Sequence, residues 1–90
     1  MAKSYKTYAA NPLAACSVII GSVDNSEMTF AHCLGGTPEL VLVQSTADGK
    51  TVYWTDADDT DITLKGSAAS TTFVALVFPP LPMTELAEVT

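Results

Sequence analysis

The sequence predicts an all-β fold: a single small antiparallel β-sandwich or partly open barrel of about six strands, with extended N- and C-terminal arms. Three observations carry this expectation. Apolar and polar residues alternate with period two in several short runs, no apolar stripe keeps a helical spacing, and turn-forming residues interrupt the chain about every eight to twelve positions.

Each element follows from its own residues. Residues 1–13 read as a polar and aromatic arm carrying Tyr5 and Tyr8, ending at Asn11-Pro12, where the residue before proline is pushed into an extended conformation. The first strand is expected over Ala15–Val23, and Asp24-Asn25-Ser26 then turns into a second over Glu27–Cys33. In that second strand Met28, Phe30 and His32 share one face, because alternate side chains of a strand point the same way. Leu34-Gly35-Gly36-Thr37-Pro38 breaks the chain. A Val/Leu run predicts a third strand over Glu39–Ser45, buried on both faces. Asp48-Gly49 is a strong hairpin signal leading into a fourth strand over Thr51–Thr55. The acidic turn Asp56-Ala57-Asp58-Asp59 precedes a fifth over Thr60–Lys65, where Ile62 and Leu64 alternate with Asp61, Thr63 and Lys65. Gly66-Ser67-Ala68-Ala69-Ser70 leads into a sixth over Thr71–Phe78, which stops at Pro79-Pro80 because proline cannot donate to a ladder. Residues 79–90 form a Pro-rich arm, polyproline-like at first, with room for a short helical turn after Met83. The sandwich domain therefore spans 14–78, between two arms.

Composition narrows the function classes. The 90 residues are 48% apolar and 16% charged, with a formal charge of -6. A chain of this size buries only about 60% of its unfolded surface, so a lone core is marginal without a disulfide, a metal or an oligomeric partner. Ten Asp and Glu face four Lys and no Arg. That balance weighs against nucleic-acid binding, which needs a basic footprint. No apolar run reaches the roughly 18 residues of a membrane span, and the N-terminus is not followed by an uninterrupted secretory apolar segment. The expectation is a chain without nucleic-acid or membrane partners, made and used without export.

The candidate sites are few. A two-residue turn at Asp24-Asn25 would set Cys16 directly opposite Cys33. Two small buried thiols or a strained cross-strand bridge are both compatible with that spacing. Asp56, Asp58 and Thr60 match the first ligand positions of a calcium loop, but Asp61 replaces the sharp-turn glycine and Ser67 the bidentate Glu, so the segment reads as an acidic solvated turn. His32 shares the alternation of Phe30 and has no metal partner at ligand spacing, which points to a buried or half-buried structural histidine. Across an Asp48-Gly49 hairpin Trp54 would oppose Val43 in the core. Tyr53 would oppose Gln44, as an ordinary packing or subunit contact or as an exposed sugar-stacking platform.

The segment Met28–Val43, with Thr29-Phe30-Ala31-His32, the Leu34-Gly35-Gly36-Thr37-Pro38 turn and a hydrophobic strand after it, resembles small β-rich virion proteins of tailed bacteriophages. It is also similar to phage fibre-tip domains with an H-type-lectin-like sandwich. Tyr53-Trp54, Ile62-Thr63-Leu64 and Thr72-Phe73-Val74 continue that layout over residues 16–78. The pattern carries no catalytic or sugar-ligand signature. Brevity favours a capsid decoration, or cement, protein over a fibre tip, which ordinarily follows a long shaft.

This resemblance implies a structural virion protein, not an enzyme, that binds the assembled capsid surface and stabilises it. It is expected to be made in the host cytoplasm, to use no cofactor and to partner the major capsid protein and itself, as a homotrimer. The arm anchors expected on that basis are Tyr5, Tyr8, Leu81 and Met83, with Tyr53 and Phe78 as subunit contacts. A receptor- or glycan-binding fibre-tip module and a tail or head-completion protein are the alternatives.

Overall fold

A computed structural model describes residues 4–9, 16–79 and 85–88. The chain forms strands β1 (Tyr5–Ala9), β2 (Ser17–Val23), β3 (Met28–Ala31), β4 (Leu40–Ser45), β5 (Val52–Ala57), β6 (Asp61–Gly66) and β7 (Thr71–Phe78). They build two antiparallel sheets, a four-stranded one in the order β1-β2-β7-β4 and a three-stranded one in the order β3-β6-β5. The expected all-β sandwich is therefore present. Its last strand has the expected bounds.

The sheets meet over an apolar core. Ile19, Val23, Val41, Phe73, Ala75 and Val77 come from the larger sheet, and Phe30, Val52, Ile62 and Leu64 from the smaller. At its centre Phe30 lies edge-on between two rings of the larger sheet, 5.1 Å from Tyr5 and 5.1 Å from Phe73. Edge-to-face pairs of this kind add about 0.5–1.5 kcal/mol each beyond the area they bury.

Several expectations are corrected. Tyr5–Ala9 is not a free arm: it pairs with β2 as an edge strand, with Tyr5 opposite Gly21 and Tyr8 opposite Val18. The Tyr5 ring packs on Phe30 and its hydroxyl accepts the Ala31 N–H at 3.2 Å, so Tyr5 serves the core. The Asp24-Asn25 segment is a corner between sheets and not a hairpin. Its Asp24 carbonyl accepts Gly66 N–H at 2.9 Å, while β2 takes β1 and β7 as its partners. Cys16 and Cys33 consequently share no ladder. Both thiols are free, and Cys33 is exposed in place of the expected burial, with a left-handed φ of 61°.

The Asp48-Gly49 signal marks a true turn, with Gly49 at φ 71°, but this turn also crosses between sheets. β4 pairs with β7, and β5 pairs with β6, so Trp54 faces Leu64 and not Val43. Trp54 sits at the rim of the core, 38% exposed, with its indole N–H donated to the Asp56 carbonyl at 2.9 Å. β4 is not buried on both faces either: Leu40, Leu42 and Gln44 are exposed on one side. Leu81 and Met83 lie outside the described residues.

The entry of Tyr5 into the core depends on Gly21. A Cβ at position 21 would fall 2.4 Å from the Tyr5 Cβ and 2.6 Å from the Ser4 carbonyl oxygen. Glycine within a strand here marks the close approach of another backbone. Gly21→Ala is expected to lower stability by about 1–3 kcal/mol through overpacking. Gly36→Ala, where nothing lies within 4 Å of the added carbon, serves as the control and should change stability by less than about 0.5 kcal/mol in urea unfolding.

Candidate functional site

Strand register decides which side chains share a surface. On the outside of the four-stranded sheet, one row across all four strands runs Tyr8, Val18, Leu76, Leu42. The next row runs Lys6, Ile20, Val74, Gln44. Phe78 and Leu40 pair at one end, and at the other the Thr46 hydroxyl donates to the Thr72 hydroxyl at 2.7 Å. The surface between these ends is apolar except for Lys6 and Gln44 at its two edges. Tyr8 and Ile20 are each 47% exposed, Leu42 50% and Leu40 41%, with Val18, Val74, Leu76 and Phe78 half-buried beside them. A shallow groove runs along β4, lined by Val41, Leu42, Val43, Gln44, Val74 and Leu76.

The outside of the smaller sheet is built oppositely. Thr29 pairs with Thr63, Tyr53 with Lys65 and Asp56 with Thr63, with a bulge between Trp54 and Asp56 restoring Asp56 to the outer face. This face alternates polar-out and apolar-in, as a solvated antiparallel sheet does. The acidic turn Asp58-Asp59-Thr60 extends it. The molecule thus separates an apolar outer face from a polar, acidic one.

Of the residues expected to bind partners, Tyr8 and Phe78 fall on the apolar face. Tyr53 is 54% exposed on the polar face, its hydroxyl accepting the Thr51 hydroxyl at 3.0 Å. Tyr5 is taken into the core, and Leu81 and Met83 are outside the described residues. Sequence reasoning missed Val18, Ile20, Leu40, Leu42, Val74 and Leu76 as surface residues. Their signal was present in the uninterrupted apolar runs of β2, β4 and β7, which mark two apolar faces without telling whether the second is covered.

His32 is a fully buried structural residue that joins three segments. Its Nε2 lies 2.9 Å from the Asp58 carbonyl and its Nδ1 3.1 Å from the Leu34 N–H, which makes Nε2 the donor and Nδ1 the acceptor. Its backbone N–H donates to Thr60 at 3.1 Å, and its carbonyl accepts the Ser17 hydroxyl at 2.5 Å. With both ring nitrogens engaged, His32 holds the β5–β6 turn and the β3–β4 connection together. The Thr7 hydroxyl adds a second tie between the sheets, donating to the Ala31 carbonyl at 2.7 Å.

The turn held by His32 is also closed from within. The Asp58 carboxylate accepts the N–H groups of Asp61 at 2.7 Å and Thr60 at 2.9 Å, and the Thr60 hydroxyl at 3.1 Å. These bonds, the Asp61 N–H first, hold the Asp58 carboxyl below its ordinary value of 3.8. The Thr37 hydroxyl donates to the neighbouring Asp59 carboxylate. Among the described residues, no group of three His, Cys, Asp or Glu is placed to hold a metal ion, and every buried side-chain N or O has a hydrogen-bond partner.

Compared with family models, curated proteins and solved structures, the chain matches none of them.

Two outcomes follow from this geometry. His32→Ala leaves the Asp58 carbonyl and the Leu34 N–H without their partner, and should lower stability by about 2–4 kcal/mol in urea unfolding, with His32→Gln retaining part of the loss. Asp58 has a folded-state value below its unfolded one, so its contribution is complete above the ordinary carboxylate range and is lost as pH falls through the folded value. The melting-temperature difference between the wild type and Asp58→Ala is therefore expected to be constant near neutrality and to vanish on acidification.

Proposed function

We propose that this chain is a structural assembly subunit of the capsid decoration type, which works by covering surfaces and not by chemistry on a substrate. The apolar outer face of the four-stranded sheet carries the reading. Its side chains present roughly 500 Å² of apolar surface, near the upper end of what a soluble monomer leaves exposed. A patch of that size is often functional, and burying it returns about 25 cal/mol for each Å² removed from water.

The distribution of charge supports the same reading. Asp56, Asp58, Asp59 and Asp61 lie on the smaller sheet and its turn, and the apolar rows contain no carboxylate. A net charge of -6 keeps the free subunit soluble, while the charge-poor face docks without desolvating a carboxylate. A protein that binds only the assembled shell stabilises it by mass action. The resemblance of Met28–Val43 to small virion proteins of tailed phages supplies the particular shell.

The purified chain is expected to co-sediment with tailed-phage capsids stripped of their accessory proteins, and to raise the temperature at which those capsids break open. Absence of the chain from the capsid pellet at saturating concentration would overturn the capsid assignment.

A further inference from the structure

We infer that the apolar outer face of the four-stranded sheet is closed by a second copy of the same chain, the two sheets stacking face to face about a two-fold axis. The inference rests on the reading of the chain as an assembly subunit, and names the occupant of its surface.

Area is the first argument. Two faces of roughly 500 Å² together bury about 1,000 Å², the lower limit for a specific protein interface and the size of a weak dimer. The face is a regular four-stranded sheet, and sheets of this kind pack about 10 Å apart with their strands nearly aligned. An isologous contact needs a self-complementary patch, and rows of Val, Ile and Leu at strand spacing interdigitate with a copy of themselves.

Charge is the second argument, and it selects the occupant. The apolar rows hold no carboxylate, and Asp56, Asp58, Asp59 and Asp61 lie on the opposite sheet and its turn. Face-to-face stacking of two acidic copies therefore keeps these four carboxylates about two sheet spacings or more from the contact. A strongly basic partner would find nothing on this face to pair with.

Lys6 fixes the direction of the axis. Its row reads Lys6, Ile20, Val74, Gln44 across the sheet. With the axis parallel to the strands, between β2 and β7, β1 lies over β4 of the second copy and β2 lies over its β7. Lys6 then meets the Gln44 amide, whose oxygen accepts its ammonium protons, and Ile20 meets Val74. In the same stack Tyr8 meets Leu42 and Val18 meets Leu76. An axis perpendicular to the strands and through this row would set Lys6 against Lys6, two like charges over an apolar contact, and one midway between the rows would set Lys6 against Tyr8 with no partner for its charge but the phenol.

Sedimentation equilibrium of the full chain tests this without any capsid. The wild type is expected to be a dimer at about 100 µM, and Ile20→Glu to weaken the association at least about tenfold. At a concentration low enough for the wild type to be monomeric, the urea midpoint of Ile20→Glu should match that of the wild type, because the side chain points away from the core, and the two should separate as the concentration rises. For the axis, Ile20→Cys and Val74→Cys chains, each also carrying Cys16→Ser and Cys33→Ser, are mixed under oxidised glutathione. The mixed disulfide is expected to exceed either self-linked product. A monomeric wild type, open-ended aggregates, a trimer indifferent to Ile20→Glu, or a dominant self-linked product would each overturn the inference. A monomer that still sediments with capsids would leave the assembly reading standing with a capsid subunit on this face. A dimer absent from the capsid pellet would do the reverse.

Discussion

The fold depends on Phe30 being gripped edge-on between Tyr5 and Phe73. A sandwich this small has little core, so a few large side chains must hold the sheets in register. Phe30 comes from the smaller sheet and both of its ring partners from the larger, so the contact spans the layers instead of running along one. Tyr5 reaches it only because Gly21 has no side chain beneath the strand. One residue beyond β3, His32 continues the junction in polar form, with its carbonyl tied to Ser17 and its ring to the β5–β6 turn. Apolar contact and hydrogen bonds thus fix the same corner of the molecule from adjacent positions. The buried polar groups are affordable there because each finds a partner.

That corner leaves the rest of the larger sheet free to serve another purpose. β2 and β7 are its central strands, and both carry apolar residues on both faces. One face fills the core. The other, from Tyr8 to Leu42, is left uncovered among the described residues, while the outside of the smaller sheet has ordinary polar alternation. One side of these strands serves the core, and the association proposed for the chain uses the other. A sequence selected only to fold would have alternated polar residues along β7 as it does along β6.

Much of the architecture was legible in the residues. The strand β7 could be bounded because Ser70 precedes a β-branched run and Pro79-Pro80 ends it. The structural role of His32 followed from its place on the Phe30 face. What failed was pairing. Asp24-Asn25 and Asp48-Gly49 both look like hairpin turns, yet both carry the chain from one sheet to the other, because a turn dipeptide specifies a reversal and not which strand becomes the neighbour. The predicted Cys16–Cys33 and Val43–Trp54 oppositions fell with it. Of the candidate site, Tyr8 was singled out as an arm anchor and Phe78 as a subunit contact, whereas Ile20, Leu42, Val74 and Leu76 were hidden inside runs that read as core.

By itself, then, the sequence determined that the chain is all-β, where most of its strands lie and that it has more apolar residues than one small core needs. Alternation and turn chemistry are local properties, and they survive without knowledge of partners. Only the tertiary structure decided where the excess goes. Register across β1, β2, β7 and β4 gathers apolar residues distant in sequence into one face, and the return of the smaller sheet covers the other side alone. Whether an apolar residue is core or surface is set by what lies over it, a non-local fact that no run of neighbouring residues contains.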